Sequence, residues 1–131
     1  MASSSGSLHE DPARLRSETI DRHRAIVSLM EELEAVDWYD QRVDAAEDPE
    51  LKAVLAHNRD EEKEHAVMTL EWLRRRDPVL DRHLRTYLFT ERPVLEIEHE
   101  AEHDGDAPAA DRAPSEGRLN IGDLRTDRAK R

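Results

Sequence analysis

Apolar residues recur every three or four positions along two long segments of the chain, which is the spacing of one face of an α-helix. The first segment covers residues 17–46 without a Gly or Pro, and Ser17 is its predicted N-cap. The second begins at Asp48-Pro49, because an Asp cap followed by Pro at the first helical position is a typical helix start. The pattern therefore predicts two long helices separated by a very short connection.

The second helix is predicted to end at Asp77-Pro78, since Pro disfavours helical conformation in the residue before it. A shorter third helix is predicted over residues 80–89. Two long helices joined by a few residues form an antiparallel hairpin. The expected fold class is all-α: a two-helix hairpin with a short third helix, which completes a four-helix bundle by dimerisation.

Composition divides the chain into four parts. Every Trp, Tyr and Phe lies between Trp38 and Phe89, which places the helical domain at residues 17–98. Residues 1–16 begin with a small, polar stretch, residues 1–7, and are predicted to form a flexible N-terminal arm. Residues 99–117 are acidic and contain Gly and Pro, as expected for a disordered linker.

The last part, residues 118–131, is a short basic terminus in which aliphatic residues reappear. Leu119, Ile121 and Leu124 lie close together there. They are either chance apolar residues in a tail or the anchors of a short docking peptide.

The overall composition restricts the partners and the chemistry. Charged residues make up 39% of the 131 residues and aromatic residues only 4%, so the core of one chain is small and partner chains are expected. The net charge of −11 argues against nucleic acid and an anionic membrane as partners and favours cations. There is no cysteine, so a metal would be bound by Glu, Asp, His or water. No segment reads as a secretion signal or membrane span, and a cytoplasmic location is expected.

The second helix has two potential metal ligands at the centre of its apolar stripe, Glu62 and His65. Side chains at i and i+3 project from the same side of a helix, so both can reach one metal ion. Carboxylate-bridged two-metal sites in helical bundles use such Glu-x-x-His pairs together with a Glu from another helix. Glu32, beside the apolar stripe of the first helix, is the predicted partner. The alternative is a hydrogen-bonded core pair, with Asn58 or Thr69 as partners.

The Glu-x-x-His spacing also occurs at two other places, which limits its weight as a motif. These are Glu96 with His99 and Glu100 with His103, and both are predicted to be solvated side chains of the acidic segment. One chain supplies only half of a two-metal site. A symmetric dimer would supply the other half by repeating each ligand.

A second acidic group, Glu31 and Glu34, lies on the first helix with Trp38 at the same face. It is either an ordinary solvated face or a weak site that gathers hard cations. Tyr39 is seven residues after Glu32 and therefore on its face. It could hydrogen-bond a ligand there or simply pack.

The sequence resembles the encapsulated ferritins. The similarity runs through most of residues 18–98 and is carried by five segments: residues 23–27, 31–39, 57–65, 68–73 and 84–91. The resemblance implies a two-helix ferritin-like subunit, a ring-shaped decamer of five dimers, and a di-iron ferroxidase centre formed between two subunits. It further implies that residues 118–131 target the protein to an encapsulin shell.

Particular residues of this chain match the functional residues of that family. Glu32, Glu62 and His65 match its iron ligands, and Tyr39 matches a neighbour of that centre. Glu31, Glu34 and Trp38 match its metal-uptake region, where calcium or another divalent cation could bind. The implied function is oxidation of Fe(II) by O2, with storage of iron inside the shell. Two alternatives use the same fold: another two-metal oxidoreductase, and a helical adaptor without metal.

Overall fold

The computed structural model describes residues 6–106, and helices are its only regular elements. A 3-10 helix, Pro12–Arg14, precedes four α-helices: α1 (Ser17–Ala45), α2 (Pro49–Arg74), α3 (Pro78–Tyr87) and α4 (Val94–Asp106). The chain divides into two units between residues 90 and 91, so α1 to α3 belong to one unit and α4 to the other. The predicted all-α class, with a two-helix hairpin and a short third helix, is confirmed.

Helices α1 and α2 lie side by side and run in opposite directions. Ala25, near the start of α1, lines the same surface groove as Thr69 near the end of α2. Asp40, near the end of α1, forms an ion pair of 2.9 Å with Arg59 in the first half of α2. Since advancing along one helix means going back along the other, the pair is an antiparallel hairpin.

The hairpin buries very little. Within residues 6–90 only Ala66 and Leu73 are buried, with 5% and 6% of their surface exposed. Apolar side chains along both long helices remain exposed, among them Ile26, Met30, Leu33, Leu51, Val54, Val67 and Met68. So much exposed apolar surface is typical of a chain that is covered by other chains.

Local capping explains where α2 and α3 begin. The Asp48 carboxylate accepts a hydrogen bond from the Leu51 N–H at 2.8 Å, which satisfies one of the free donors of the first turn. Asp77 does the same for the N–H groups of Val79 and Leu80, at 3.1 and 3.0 Å. The prediction that α3 begins at residue 80 was therefore late by one half-turn, because Asp77-Pro78 starts a helix as well as ending one.

The start of α1 was predicted at the right residue but with the wrong cap. Arg16 occupies the N-cap position with extended backbone, and its side chain makes no capping hydrogen bond. Ser17 is already the first helical residue. Two acidic residues, Glu18 and Asp21, lie near the positive end of the helix dipole.

A group of ion pairs fixes the corner between α2 and α3. The Arg74 guanidinium donates to Glu71 on its own helix, at 2.6 Å from Nε, and to Asp81 on α3. Hydrogen bonds from Arg74 and Arg75 lower the pKa of Glu71 to about 2. Arg85 closes the group with a 3.0 Å bond to Asp81.

The chain leaves α3 through an unusual residue. Phe89 has φ of 60°, a left-handed conformation that bulky residues rarely adopt, and its side chain is fully exposed. It borders an apolar groove of about 560 Å³ whose other walls include Val67, Leu70, Leu84 and Leu88.

Two segments predicted to lack structure contain helices. The 3-10 helix Pro12–Arg14 lies in the predicted flexible arm, where Asp11 accepts a hydrogen bond from Ala13 N–H at 3.0 Å. The prediction of a disordered linker from residue 99 was wrong for residues 99–106, which belong to α4. The Pro93 carbonyl accepts the first helical hydrogen bonds of α4, and Glu, a good helix former, is the most frequent residue of this helix. The remaining linker and residues 118–131 lie outside the described range.

Candidate metal centre

The hairpin brings Glu32, Glu62 and His65 together. One carboxylate oxygen from each Glu and one imidazole nitrogen of His65 all lie within 4.8 Å of one another. The His65 Nδ1 is 3.3 Å from a Glu62 oxygen and 3.8 Å from a Glu32 oxygen. Glu62 and His65 are adjacent because they are one turn apart on α2, whereas Glu32 reaches them through the packing of α1 on α2. In the part of the chain that the structure describes, this is the one place where three or more potential metal ligands from His, Asp or Glu side chains come this close together.

The three side chains differ in how far they are covered. Glu32 and Glu62 lie towards the seam between the helices, with 27% and 25% of their side-chain surface exposed, whereas His65 is 50% exposed. The sequence pattern predicts a buried stripe here. A single chain covers only the carboxylates, so the imidazole side of the group stays open to whatever packs against it.

The two carboxylates are close enough to share a proton. The pKa of Glu32 is raised, mainly by hydrogen bonding to Glu62 and secondly by partial burial. The same hydrogen bond, with Glu62 as acceptor, lowers the pKa of Glu62. Two neighbouring carboxylates behave in this way because both cannot ionise independently, and the shared proton belongs to the pair. A divalent cation placed between them would displace that proton.

The predicted alternative of a hydrogen-bonded core pair is not what the geometry favours. The Thr69 hydroxyl donates to the backbone carbonyl of His65 at 3.1 Å, not to its ring. Within residues 6–106, Asn58 makes no side-chain hydrogen bond to Glu62 or His65 either. Within residues 6–106, the side chains of Glu32, Glu62 and His65 therefore hydrogen-bond only with one another. Two carboxylates with one imidazole are a donor set suited to iron, manganese or zinc.

Tyr39 lies on the same helix as Glu32, two turns further on. Its ring contacts the Arg42 guanidinium, whose carbon is 5.4 Å from the ring centre. Among the described residues, its hydroxyl has no hydrogen-bond partner. The structure therefore places Tyr39 on the face of Glu32 without joining it to the three clustered side chains.

Glu31, Glu34 and Trp38 form the exposed outer part of α1. Both carboxylates are exposed, and 49% of the Trp38 surface is exposed. Glu31 is the immediate neighbour of Glu32 and contributes, as its smallest cause, to the raised pKa of that carboxyl. Glu31 and Glu34 therefore lie beside the three clustered side chains, but their carboxylates are not part of that group.

Arg59 is a neighbour of the site that sequence reasoning missed. It precedes Glu62 by one turn, its side chain is only 23% exposed, and it donates to Asp40 at 2.9 Å and Asp60 at 3.1 Å. These hydrogen bonds raise the pKa of Arg59, with that to Asp60 contributing most. The Asp40 contact joins α1 to α2 two turns after Glu32 on α1 and one turn before Glu62 on α2, so it contributes to the register in which Glu32 faces Glu62. Residues 19 positions apart give no local signal of such a pair.

None of the helices within residues 6–106 is long and apolar enough to cross a membrane. Leu119, Ile121 and Leu124 lie outside the described residues.

Comparison with known proteins gives consistent results. Residues 7–91 match the EncFtn-like family. The chain is similar to an encapsulated ferritin-like protein of Rhodospirillum rubrum, with 61% identity over an alignment of 133 positions that covers 98% of this chain and 95% of that protein. It is also similar to the encapsulin nanocompartment cargo protein EncC of Myxococcus xanthus, with 33% identity over 76% of this chain and 80% of that protein. The crystal structure of protein NE0167 from Nitrosomonas europaea matches with a TM-score of 0.66 and 62% identity, over 67% of this chain and 97% of that one.

Proposed function

This chain belongs to the EncFtn-like family, and we propose that it is a ferroxidase that oxidises Fe(II) to Fe(III) with O2. The observation that carries this proposal is the convergence of Glu32, Glu62 and His65 within 4.8 Å. Carboxylates stabilise the harder Fe(III) product over Fe(II), and imidazole binds both states. Each Fe(II) gives up one electron, and O2 accepts the electrons.

The reacting pair of iron ions binds between two copies of the chain. One chain offers two carboxylates and one imidazole, whereas two-metal sites in helical bundles use four carboxylates and two imidazoles. A two-fold axis beside His65 supplies the complete set, because it repeats each ligand once.

The surface around His65 supports closure by a second chain. Leu51, Val54 and Met68 share the side of α2 that carries His65, and they are 51%, 51% and 63% exposed. An exposed apolar side is suited to burial in an interface between two chains, and such an interface would enclose the imidazole of His65. We extend the proposal to a ring-shaped decamer built from five such dimers.

The acidic group Glu31, Glu34 and Trp38 takes part in metal uptake. Its two carboxylates are exposed on the helix that carries Glu32, so they raise the local concentration of cations next to the centre. Carboxylate oxygens alone favour hard ions, and calcium or another divalent cation can therefore compete there with Fe(II).

The protein acts inside an encapsulin shell in the cytoplasm, where the shell stores the oxidised iron. The names of the R. rubrum and M. xanthus relatives support this partner. In this chain, Leu119, Ile121 and Leu124 are the anchors that dock on the shell, and the segment before them acts as a tether.

The test is aerobic Fe(II) oxidation, followed by the rise in Fe(III) absorbance, in single variants of the three ligands. Glu32→Ala, Glu62→Ala and His65→Ala should each nearly abolish oxidation, since each removes two symmetry-related ligands. Glu47→Ala, which removes an exposed carboxylate from the connection between α1 and α2, is the matched control and should retain the rate. Near-normal oxidation by Glu62→Ala would disprove the assignment of the site.

A further inference from the structure

Phe89 presents its whole side chain to solvent just after the end of α3. Its backbone has φ of 60°, in the left-handed region, and its side chain is fully exposed. A bulky residue keeps this conformation only where its surroundings hold it there. Within residues 6–106 no side chain covers the ring, so a group outside these residues is needed to hold it.

The groove beside Phe89 is apolar and open. Val67 and Leu70 of α2 form one wall, and Leu84 and Leu88 of α3 form the other. Val67 is 63% exposed and Leu88 is 46% exposed. Since an apolar cavity of about 150 Å³ already accommodates benzene, a groove of about 560 Å³ can receive a phenylalanine ring together with the residues beside it.

The groove lies on the side of α2 that faces away from the proposed iron centre. Successive residues of a helix are about 100° apart, so Val67 points about 160° away from His65 around the helix axis. A second chain that covers His65 and Met68 therefore leaves the groove exposed. In a ring of dimers, each chain must contact one more neighbour on another side.

The surface is suited to another copy of itself. Phe89 projects at the rim of the groove, so two copies related by a two-fold axis can each insert a ring into the groove of the other. The charges at the rim are neutralised within the chain. Arg74 donates to Glu71 at 2.6 Å, and Arg85 donates to Asp81 at 3.0 Å. The net charge of −11 makes most of the surface repel another copy, but this part meets it with little uncompensated charge.

We propose that this groove is a second interface between copies of the chain, in which Phe89 of each copy packs against Val67, Leu70 and Leu84 of the other. Burial of these exposed apolar side chains drives the contact. The inference rests on the ring-shaped assembly proposed above and supplies the contact that joins one dimer to the next. Because each dimer makes two such contacts in a closed ring, one contact need not hold two single chains together.

The experiment measures the mass of the full-length Phe89→Gly variant by light scattering, together with its rate of iron oxidation per chain. Gly adopts φ of 60° without strain, so this variant keeps the turn and removes only the ring. Its mass should fall from that of the ring to that of a dimer, while the oxidation rate per chain stays unchanged. Val79→Ala is the control: this residue of α3 is 53% exposed and does not line the groove, so the full assembly should persist.

A second variant tests the receiving wall of the groove. Val67→Arg places a charge where the ring would pack and should give the same active dimers. Unchanged mass in either variant, with helix content intact by circular dichroism, would overturn the interface. Single chains without oxidation would also overturn it, since these residues would then belong to the contact that closes the iron centre. Absence of oxidation in the unaltered protein would instead refute the ferroxidase proposal and leave the result on mass as it stands.

Discussion

Met68, which binds no metal, allows a test of the proposal that a second chain completes the ferroxidase centre. It lies one turn after His65 on the same side of α2 and is 63% exposed. If a partner chain covers this side, Met68→Glu places a carboxylate in the interface. The variant should then lose assembly and, with it, iron oxidation.

The size of the effect can be worked out from burial and symmetry. Complete burial of a Met side chain stabilises by about 1.5–3 kcal/mol, and a two-fold interface contains two copies. Because only 63% of the Met68 surface is exposed in one chain, the loss of that burial amounts to about 2–4 kcal/mol per dimer, or roughly a 20–500-fold weaker association at about 1.4 kcal/mol per tenfold. The cost of desolvating two carboxylates adds to this.

The assay combines mass measurement by light scattering with the oxidation rate at one protein concentration. Met68→Glu should shift the mass towards a single chain and lower the rate in proportion to the lost assembly. Met68→Leu, which keeps an apolar side chain of similar volume, should retain both. A Met68→Glu protein with unchanged mass and rate would refute the idea that a second chain covers this side of α2.

Three further predictions concern pH, metal uptake and docking. Since Glu32 has a raised pKa and metal requires both carboxylates ionised, affinity for Zn²⁺ should fall by up to about tenfold per pH unit below that pKa. Titration in buffers of different ionisation enthalpy should detect the released proton, and an undiminished release in Glu62→Gln would argue against a proton shared by the pair. Glu31→Ala with Glu34→Ala should change the oxidation rate without eliminating it, whereas complete loss of activity in an assembled double variant would contradict an auxiliary role. Deleting residues 118–131 should abolish co-purification with a co-expressed encapsulin while oxidation persists, and undiminished loading of the truncated chain would disprove docking through this segment.

Local sequence was enough for the features of the fold that depend on neighbouring residues. Asp48-Pro49 correctly predicts the start of α2, because a cap and a Pro with fixed φ act within one turn. Helix α4 was not predicted, because its high charge is also typical of disordered segments, although many of its residues favour helix individually. The left-handed Phe89 has no sequence signature, since nothing in its side chain favours φ of 60°.

The same distinction holds for the metal centre. The pairing of Glu62 with His65 comes from spacing along one helix, and the position of Glu32 comes from the apolar stripe of α1. The Asp40–Arg59 contact across the hairpin could not be predicted, because it depends on how the two helices pack. Nor could the pattern show that His65 remains half exposed in a single chain: the stripe marks a buried face, but only the structure shows which part of it one chain can cover.

The central claim, that two chains together form the iron centre, is tested most directly by a crystal structure of the full-length protein loaded with Fe(II) under anaerobic conditions. The account predicts two iron ions near a two-fold axis, with Glu32, Glu62 and His65 of both chains as ligands. Iron bound at this group by the residues of one chain alone, or absent from it at full loading, would contradict the account.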